Sequence, residues 1–415
     1  MQKEDAVHRL TAHLFREDSG KMVAFLSARY GLERLDLIMD VVQDTFETAL
    51  SKWRFSGIPD NPSAWLMQVA KNKALNALKR DAKTTGIGDQ LHFSDEQTAD
   101  FSISPEEITD SQLQLLYLCC HPQLSQKNQI IITLHILCGF GVPEIANALL
   151  MNDEAVKKAL HRCKSLLRES GNPVNVDGIP VANVQTVRTI LYLLFNEGYK
   201  TTRGKEAINH DLCYEAIRLA KLLTGDSTHD QYETKALLAL MFFNLSRFAA
   251  RIGNEGEWLT LEEQDRSKWN SVFIEEGYYY LNSAVKSDSL SSFHIEAIIA
   301  SIHCSAPTFE QTNWQQISVL YEQLGQLAPL SPFVTLNKII AESYLSGSRD
   351  SLKAIDEIAG DSLLKNHFLV PAAKGDLYRR NGSYAEAIEA YQQALELAVS
   401  ETDKELLRKK IAQCE

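Results

Sequence analysis

Chemistry in this chain is carried by charged and aromatic side chains at helical spacing, and it contains no Gly-rich phosphate loop, nucleophile elbow or zinc-protease helix. The first informative stretch runs from Arg34 to Trp53, where Leu35, Met39, Val42, Phe46, Ala49 and Leu50 recur at core spacing. The face left over is acidic: Asp36, Asp40, Gln43, Asp44 and Glu47 follow at helical steps. Such a row is a solvated surface or a docking face for a basic partner helix, and periodicity alone leans to the first. A second stretch follows Pro59-Asp60-Asn61-Pro62, where Asn61 suits an N-cap and Pro62 the first helical turn. At about 100° per residue, Leu66, Ala70, Ala74 and Ala77 gather on one side. Trp65, Gln68, Asn72, Asn76 and Lys79 line the other, with Arg80 beside them.

Residues 62 to 83 hold five basic side chains and one acid, so that second face sets an aromatic and amides in a basic field. A nucleic-acid reader needs that combination; a Trp65 packed under a loop beside solvated amides is the equal alternative. Trp53-Arg54-Phe55-Ser56-Gly57-Ile58 links the two helices. Its aromatic and cationic residues either hold an unstacked base or plug a turn. The third stretch reads as a helix-turn-helix. Gln126 to Leu137 supports, Cys138-Gly139-Phe140-Gly141 turns, Val142 to Leu149 forms a short helix, and Asn152 caps a last helix through Arg168. Val156, Leu160, Cys163 and Leu167 make its core stripe. Lys157, Lys158, His161, Arg162, Ser165 and Arg168, with Glu154, lie outside that stripe, which suits a major-groove element with phosphate-binding flanks.

Cys119-Cys120-His121 with His135 and Cys138 fits no standard paired zinc spacing, so neither metal nor cofactor is expected. The seven cysteines, several within apolar stretches, read as reduced core thiols without a structural disulfide. No apolar run is long enough to span a bilayer, and the N-terminus lacks a secretory pattern, so a soluble cytoplasmic protein is expected. The net charge of -12 argues against a simple DNA-coating protein, yet the charge is unevenly spread. Residues 1 to 81 sum to +1, 82 to 124 to -6, 125 to 171 to +2 and 172 to 415 to -9.

Helical periodicity dominates and no convincing alternating strand appears, so the fold class is all-α. The polar, acidic segment 83–110 reads as a linker between a helical domain at 1–82 and a second at 111–171. Gly171-Asn172-Pro173 through Pro180 marks another boundary, with a helical domain at 181–415 beyond it. There Gly375, Tyr378, Gly382, Tyr384, Ala387, Tyr391 and Ala394 fall at the spacing of one tetratricopeptide (TPR) unit, and the neighbouring segments are degenerate, so the region is TPR-like. Its Asn196-Glu197-Gly198-Tyr199 and Glu262 to Arg266 clusters read first as a turn and a buried ion-pair network, with an interdomain or ligand-facing surface as the alternative.

Taken in order, these residues resemble the sigma-70 family of bacterial initiation factors, specifically its compact extracytoplasmic-function (ECF) group. Asp40-Val41-Val42-Gln43-Asp44-Thr45-Phe46 looks like the family's polymerase contact in region 2. Asn61 to Leu66 followed by Ala70 to Arg80 looks like the part that melts and reads the -10 element, and Val142 to Arg168 resembles region 4, which reads the -35 element. Leu118 to Pro122, Leu194 to Tyr199, Asp211 to Leu219 and Leu261 to Trp269 look like a subgroup with a TPR-containing extension. Ala155 departs from the family, which often carries Thr at the start of that helix and gains a phosphate contact from it.

The resemblance implies that Asp40, Gln43, Asp44 and Glu47 contact core RNA polymerase. It implies that Arg54, Phe55, Trp65, Asn72, Asn76, Lys79 and Arg80 meet the -10 DNA, with Trp65 stacking on a base. Lys157, Lys158, His161, Arg162, Ser165 and Arg168 would meet the -35 DNA. The expected protein is a non-enzymatic initiation factor with promoter DNA and core polymerase as partners, controlled in cis by its tail, which either packs on the DNA-binding domains or receives a regulatory protein or peptide. A helix-turn-helix repressor or activator with a TPR interaction domain is the competing reading, and it leaves residues 34 to 80 unexplained.

Overall fold

The computed structural model describes residues 2–84, 105–149, 151–169, 181–199, 210–225, 231–253, 257–286, 290–327 and 331–415. Among these the secondary structure is helical apart from one isolated bridge between Ile252 and Trp258, the all-α class that the periodicity predicts. Most of the expected first linker, residues 85–104, and the Gly171 to Pro180 boundary lie outside the described residues. None of the described helices is long and apolar enough to cross a membrane. The chain divides into two compact units, residues 1–190 and 191–415.

In the first unit, helix α1 (Gln2–Tyr30) is followed by a short 3-10 turn at Leu32–Arg34, then α2 (Leu35–Ser56) and α3 (Pro62–Thr84). These three pack together because each presents one apolar stripe. Leu66, Ala70, Ala74 and Ala77 of α3 are buried, as are Val42, Phe46 and Ala49 of α2. Phe15 of α1 meets Phe46 edge to face at 5.0 Å. Asn61 caps α3 as expected, its side chain accepting the Ala64 N–H at 3.1 Å.

The helix-turn-helix follows as α4 (Pro105–Cys119), α5 (Gln126–Ile136), α6 (Val142–Leu149) and α7 (Asp153–Glu169). Helix α4 therefore begins inside the segment read as linker, since Pro105 suits a first helical turn. Helix α7 opens on the predicted cap: Asn152 Oδ1 accepts the Ala155 N–H at 2.7 Å. Its stripe Val156, Leu160, Cys163 and Leu167 is buried, so the polar stripe is left outside.

The helix α8 (Val181–Tyr199) leads into the second unit, which holds α9 (His210–Leu223), α10 (Tyr232–Leu245), the short α11 (Phe248–Arg251), α12 (Ser271–Ala284), α13 (Ser292–Ser305), α14 (Trp314–Leu327), α15 (Pro332–Ser346), α16 (Ser348–Ile358), α17 (Leu369–Arg380), α18 (Tyr384–Leu397) and α19 (Glu401–Ala412). Helix α10 is apolar nearly all round and accordingly sits between α9, α12 and α13. From α13 onward each helix packs on the next. In the α17–α18 pair the small residue predicted at 375 is needed: a Cβ there would lie 2.5 Å from the Tyr391 ring. Tyr391 is fully buried and donates its hydroxyl to Asp376 at 2.6 Å.

Candidate nucleic-acid and partner interfaces

The α2 surface keeps its acidic row in solvent: Asp40, Gln43, Asp44 and Glu47 are all exposed. Gln43 donates to Glu47 at 3.3 Å. Asp44 is bridged by Lys73 of α3 at 2.7 Å, and Lys73 also donates to Thr48 Oγ1 at 2.6 Å. The side chain of Asp44 is still 63% exposed, so it retains accepting capacity toward a cation from outside. Asp36, at the head of the same row, is committed elsewhere: Lys164 reaches it at 3.1 Å and Arg168 at 3.0 Å, both from α7.

Arg54 and Phe55 belong to the last turn of α2 rather than to a linker, because helical geometry persists until Gly57, which adopts φ 84 and turns the chain. Phe55 is 91% exposed, whereas Trp53 two positions earlier is buried. Trp65 lies between these extremes, half-buried with its ring 5.4 Å from that of Trp53. One face therefore rests on the hydrophobic core, which holds the indole in a fixed attitude. Asn72, Asn76, Lys79 and Arg80 are exposed on α3. Lys71, which contributes to the basic count of this helix, is buried and adds nothing to that surface.

On α7, Lys157, Lys158, His161 and Arg162 are exposed, and the last three line a shallow depression. Glu154 holds Lys157 at 2.8 Å one helical turn away. Two residues of the predicted stripe depart from it: Ser165 and Arg168 are half-buried, and Arg168 points its guanidinium at Asp36. No linear pattern signals that pair, because its members lie in separate helical modules far apart in sequence.

The thiols and imidazole that might have suggested a metal are core groups. Burial drives Cys119 well above the ordinary thiol range and Cys120 up to about 12, so neither is a thiolate at neutral pH. Burial also lowers His135, whose Nδ1 lies 3.0 Å from the Phe140 carbonyl oxygen. Among the described residues no three His, Cys, Asp or Glu side chains are placed to hold a metal ion.

In the second unit, the two polar clusters differ from their first readings: Asn196 to Tyr199 is the last turn of α8 rather than a loop turn, and Glu262, Glu263 and Asp265 are exposed rather than a buried ion-pair network. Arg251 is buried, donates to the Tyr199 carbonyl at 2.9 Å and lies 3.5 Å above the Tyr199 ring. Arg266 donates to the His303 and Ala306 carbonyls at 2.5 and 2.6 Å, which closes the C-terminal end of α13. A cleft of about 580 Å³, lined in part by Glu262, Glu263 and His303, opens beside them. Arg380 stacks on Tyr344 at 4.1 Å, and Tyr344 stacks on Trp314 at 4.2 Å and 18°. All three line that cleft.

Comparison with known proteins matches three segments. Residues 15–84 match region 2 of the sigma-70 family, residues 114–167 match its region 4, and residues 183–285 match a family of unknown function, DUF6596. An uncharacterized protein of Rhizobium meliloti (strain 1021) is 32% identical over 380 residues, covering 90% of this chain and 89% of its own length. Region 2 falls on α1 to α3 and region 4 on α4 to α7, so the exposed acidic row and the exposed basic stripe sit on the two modules of one initiation factor. The chain belongs to the sigma-70 family of RNA polymerase sigma factors, DNA-binding proteins of transcription initiation, and carries a helical C-terminal extension.

Proposed function

We propose that this sigma factor is of the ECF type and acts in the cytoplasm. It delivers core polymerase to a specific promoter by reading the -10 element with region 2 and the -35 element with region 4. In this reading Asp40, Gln43, Asp44 and Glu47 meet a basic polymerase surface. Arg54, Phe55, Trp65, Asn72, Asn76, Lys79 and Arg80 hold the opened -10 strand. Lys157, Lys158, His161, Arg162, Ser165 and Arg168 grip the -35 duplex. The observation that carries it is the exposure of both chemistries on one chain: an acidic row on α2 and four cationic or imidazole side chains on α7. The acidic chain has little unaided affinity for duplex DNA, so polymerase supplies the effective concentration.

The TPR-like tail controls this activity in cis and receives a protein or peptide partner. The cleft built on Arg380, Tyr344 and Trp314 supports this, since an arginine stacked on aromatics offers both apolar area and a charge-assisted donor. Run-off transcription with core polymerase tests the whole reading. The intact chain is expected to initiate at discrete sites, a Lys157→Ala, Lys158→Ala variant to lose promoter choice, and truncation after residue 180 to alter output. Tight binding to an operator without polymerase, and no run-off product, would establish the repressor reading instead.

A further inference from the structure

The charged segment Leu261 to Trp269 lies between α11 and α12, and its first residues, Leu261 to Glu263, form one wall of the cleft in the second unit. The segment is tied down from behind. Gln264 is buried and accepts from Arg247 at 3.3 Å, Asp265 accepts the Ser267 N–H at 3.0 Å, and Arg266 holds the carbonyls that end α13. These anchors present two consecutive carboxylates to the cations of α17 and α19. Glu263 accepts Lys409 of α19 at 2.7 Å and is also held by the N–H and hydroxyl of Thr260, both at 2.9 Å. Glu262 stands 3.7 Å from Arg379 of α17, too far for a hydrogen bond, with both side chains partly exposed. Glu262 is therefore the loosely held member of the pair.

What the segment leaves unmet defines the occupant. Arg380, flat on Tyr344, donates to Ser343 Oγ at 2.7 Å and to the Asp376 carbonyl at 3.4 Å, and no carboxylate among the described residues pairs with it. The neighbouring Arg379 keeps its Nε buried with no hydrogen-bond partner among the described residues. The acids of the wall are better served. Asp376 takes Lys410 at 2.6 and 2.8 Å and the Tyr391 hydroxyl at 2.6 Å, and Glu263 has Lys409. A cationic ligand would thus find only Glu262, whereas a carboxylate finds two guanidinium groups side by side. Beside them Tyr384, at the start of α18, lines the cleft and is 52% exposed, which leaves aromatic area for an apolar side chain.

We propose that the cleft takes an acidic segment of a partner protein. One of its side-chain carboxylates replaces Glu262 beside Arg379 and Arg380, and an adjacent apolar side chain lies on Tyr384. Glu262 is then an internal competitor, a carboxylate of the chain itself that holds the site at low affinity until a better-fitting one displaces it. The inference rests on the reading that this cleft receives a protein or peptide.

The test probes an array of short random peptides, blocked at both ends, with the full-length chain. Blocking removes the terminal charges, so any carboxylate comes from Asp or Glu; a second array keeps the free carboxyl terminus. Bound peptides are expected to be enriched in Asp or Glu next to an aromatic or aliphatic residue. The tightest one is then followed by fluorescence anisotropy, and its binding should weaken as potassium chloride is raised. Arg380→Gln should weaken it about tenfold or more. Glu262→Gln, at an exposed position, should tighten it about two- to fivefold, whereas loss of a merely structural pair would not improve binding. Should Arg380→Gln misfold, Glu262→Gln and a peptide with Gln for Glu carry the same test in folded protein. Enrichment of Lys or Arg, binding confined to peptides with a free carboxyl terminus, or a Glu262→Gln chain that binds no tighter than wild type overturns the proposal. In each of those cases the cleft still receives a peptide and the reading of the tail stands. If no peptide binds any form, that reading fails and the inference with it.

Discussion

Phe55 and Trp65 differ in burial, and that difference allows the proposed base stacking to be measured apart from any structural contribution. Phe55 is 91% exposed. Of the ~200 Å² a phenylalanine can bury, only about 20 Å² is covered, worth about 0.5 kcal/mol at 25 cal/mol/Å². Phe55→Ala should therefore leave the thermal unfolding curve nearly unchanged. Stacking on an unpaired base contributes about 1–3 kcal/mol, so the same substitution should reduce the open-complex equilibrium about 5- to 150-fold. Trp65 is half-buried against Trp53, and Trp65→Ala should lose about 2 kcal/mol of stability in addition to its stacking contribution. The assay is permanganate reactivity of unpaired thymines in a promoter bound by the reconstituted holoenzyme, alongside circular-dichroism melts of each variant. If Phe55→Ala opened the promoter as well as wild type, the stacking role would be refuted. A large stability loss in that variant would refute the burial argument instead.

Lys158→Ala should weaken promoter binding by the holoenzyme across all sequences and lower the salt-dependence slope by about one, measured by filter binding across a potassium chloride series. Gly375→Ala should destabilise the tail by about 1–2 kcal/mol in urea unfolding, because displacing the buried Tyr391 ring outweighs the gain in helix propensity. His303 is held down to about 3 by burial and by the nearby Arg247 and Arg266. Its folded value lies below its unfolded one, so the unfolded chain takes up a proton first as pH falls below about 6.5. Tail stability should then decline toward pH 3 by on the order of 1 kcal/mol per pH unit. A pH series of melts in which His303→Gln is no flatter than wild type would contradict this.

Sequence alone determined the local features, because helices are set by neighbours a few residues apart. The caps at Asn61 and Asn152, the buried stripes of α3 and α7, and the exposed acidic row of α2 all follow from short-range spacing and chain order. Local spacing ends α2 at Trp53, because an aromatic, a cation and a serine before Gly57 resemble a loop, whereas the helix continues to Ser56.

What only the tertiary structure decided was which exposed charges are already spoken for. Arg168 reads as an outward cation by helical spacing, yet Asp36 of α2 claims it; Lys71 counts as basic surface, yet it is buried. An ion pair between distant segments depends on the three-dimensional approach of two modules, and a charge count along the chain carries no record of that approach.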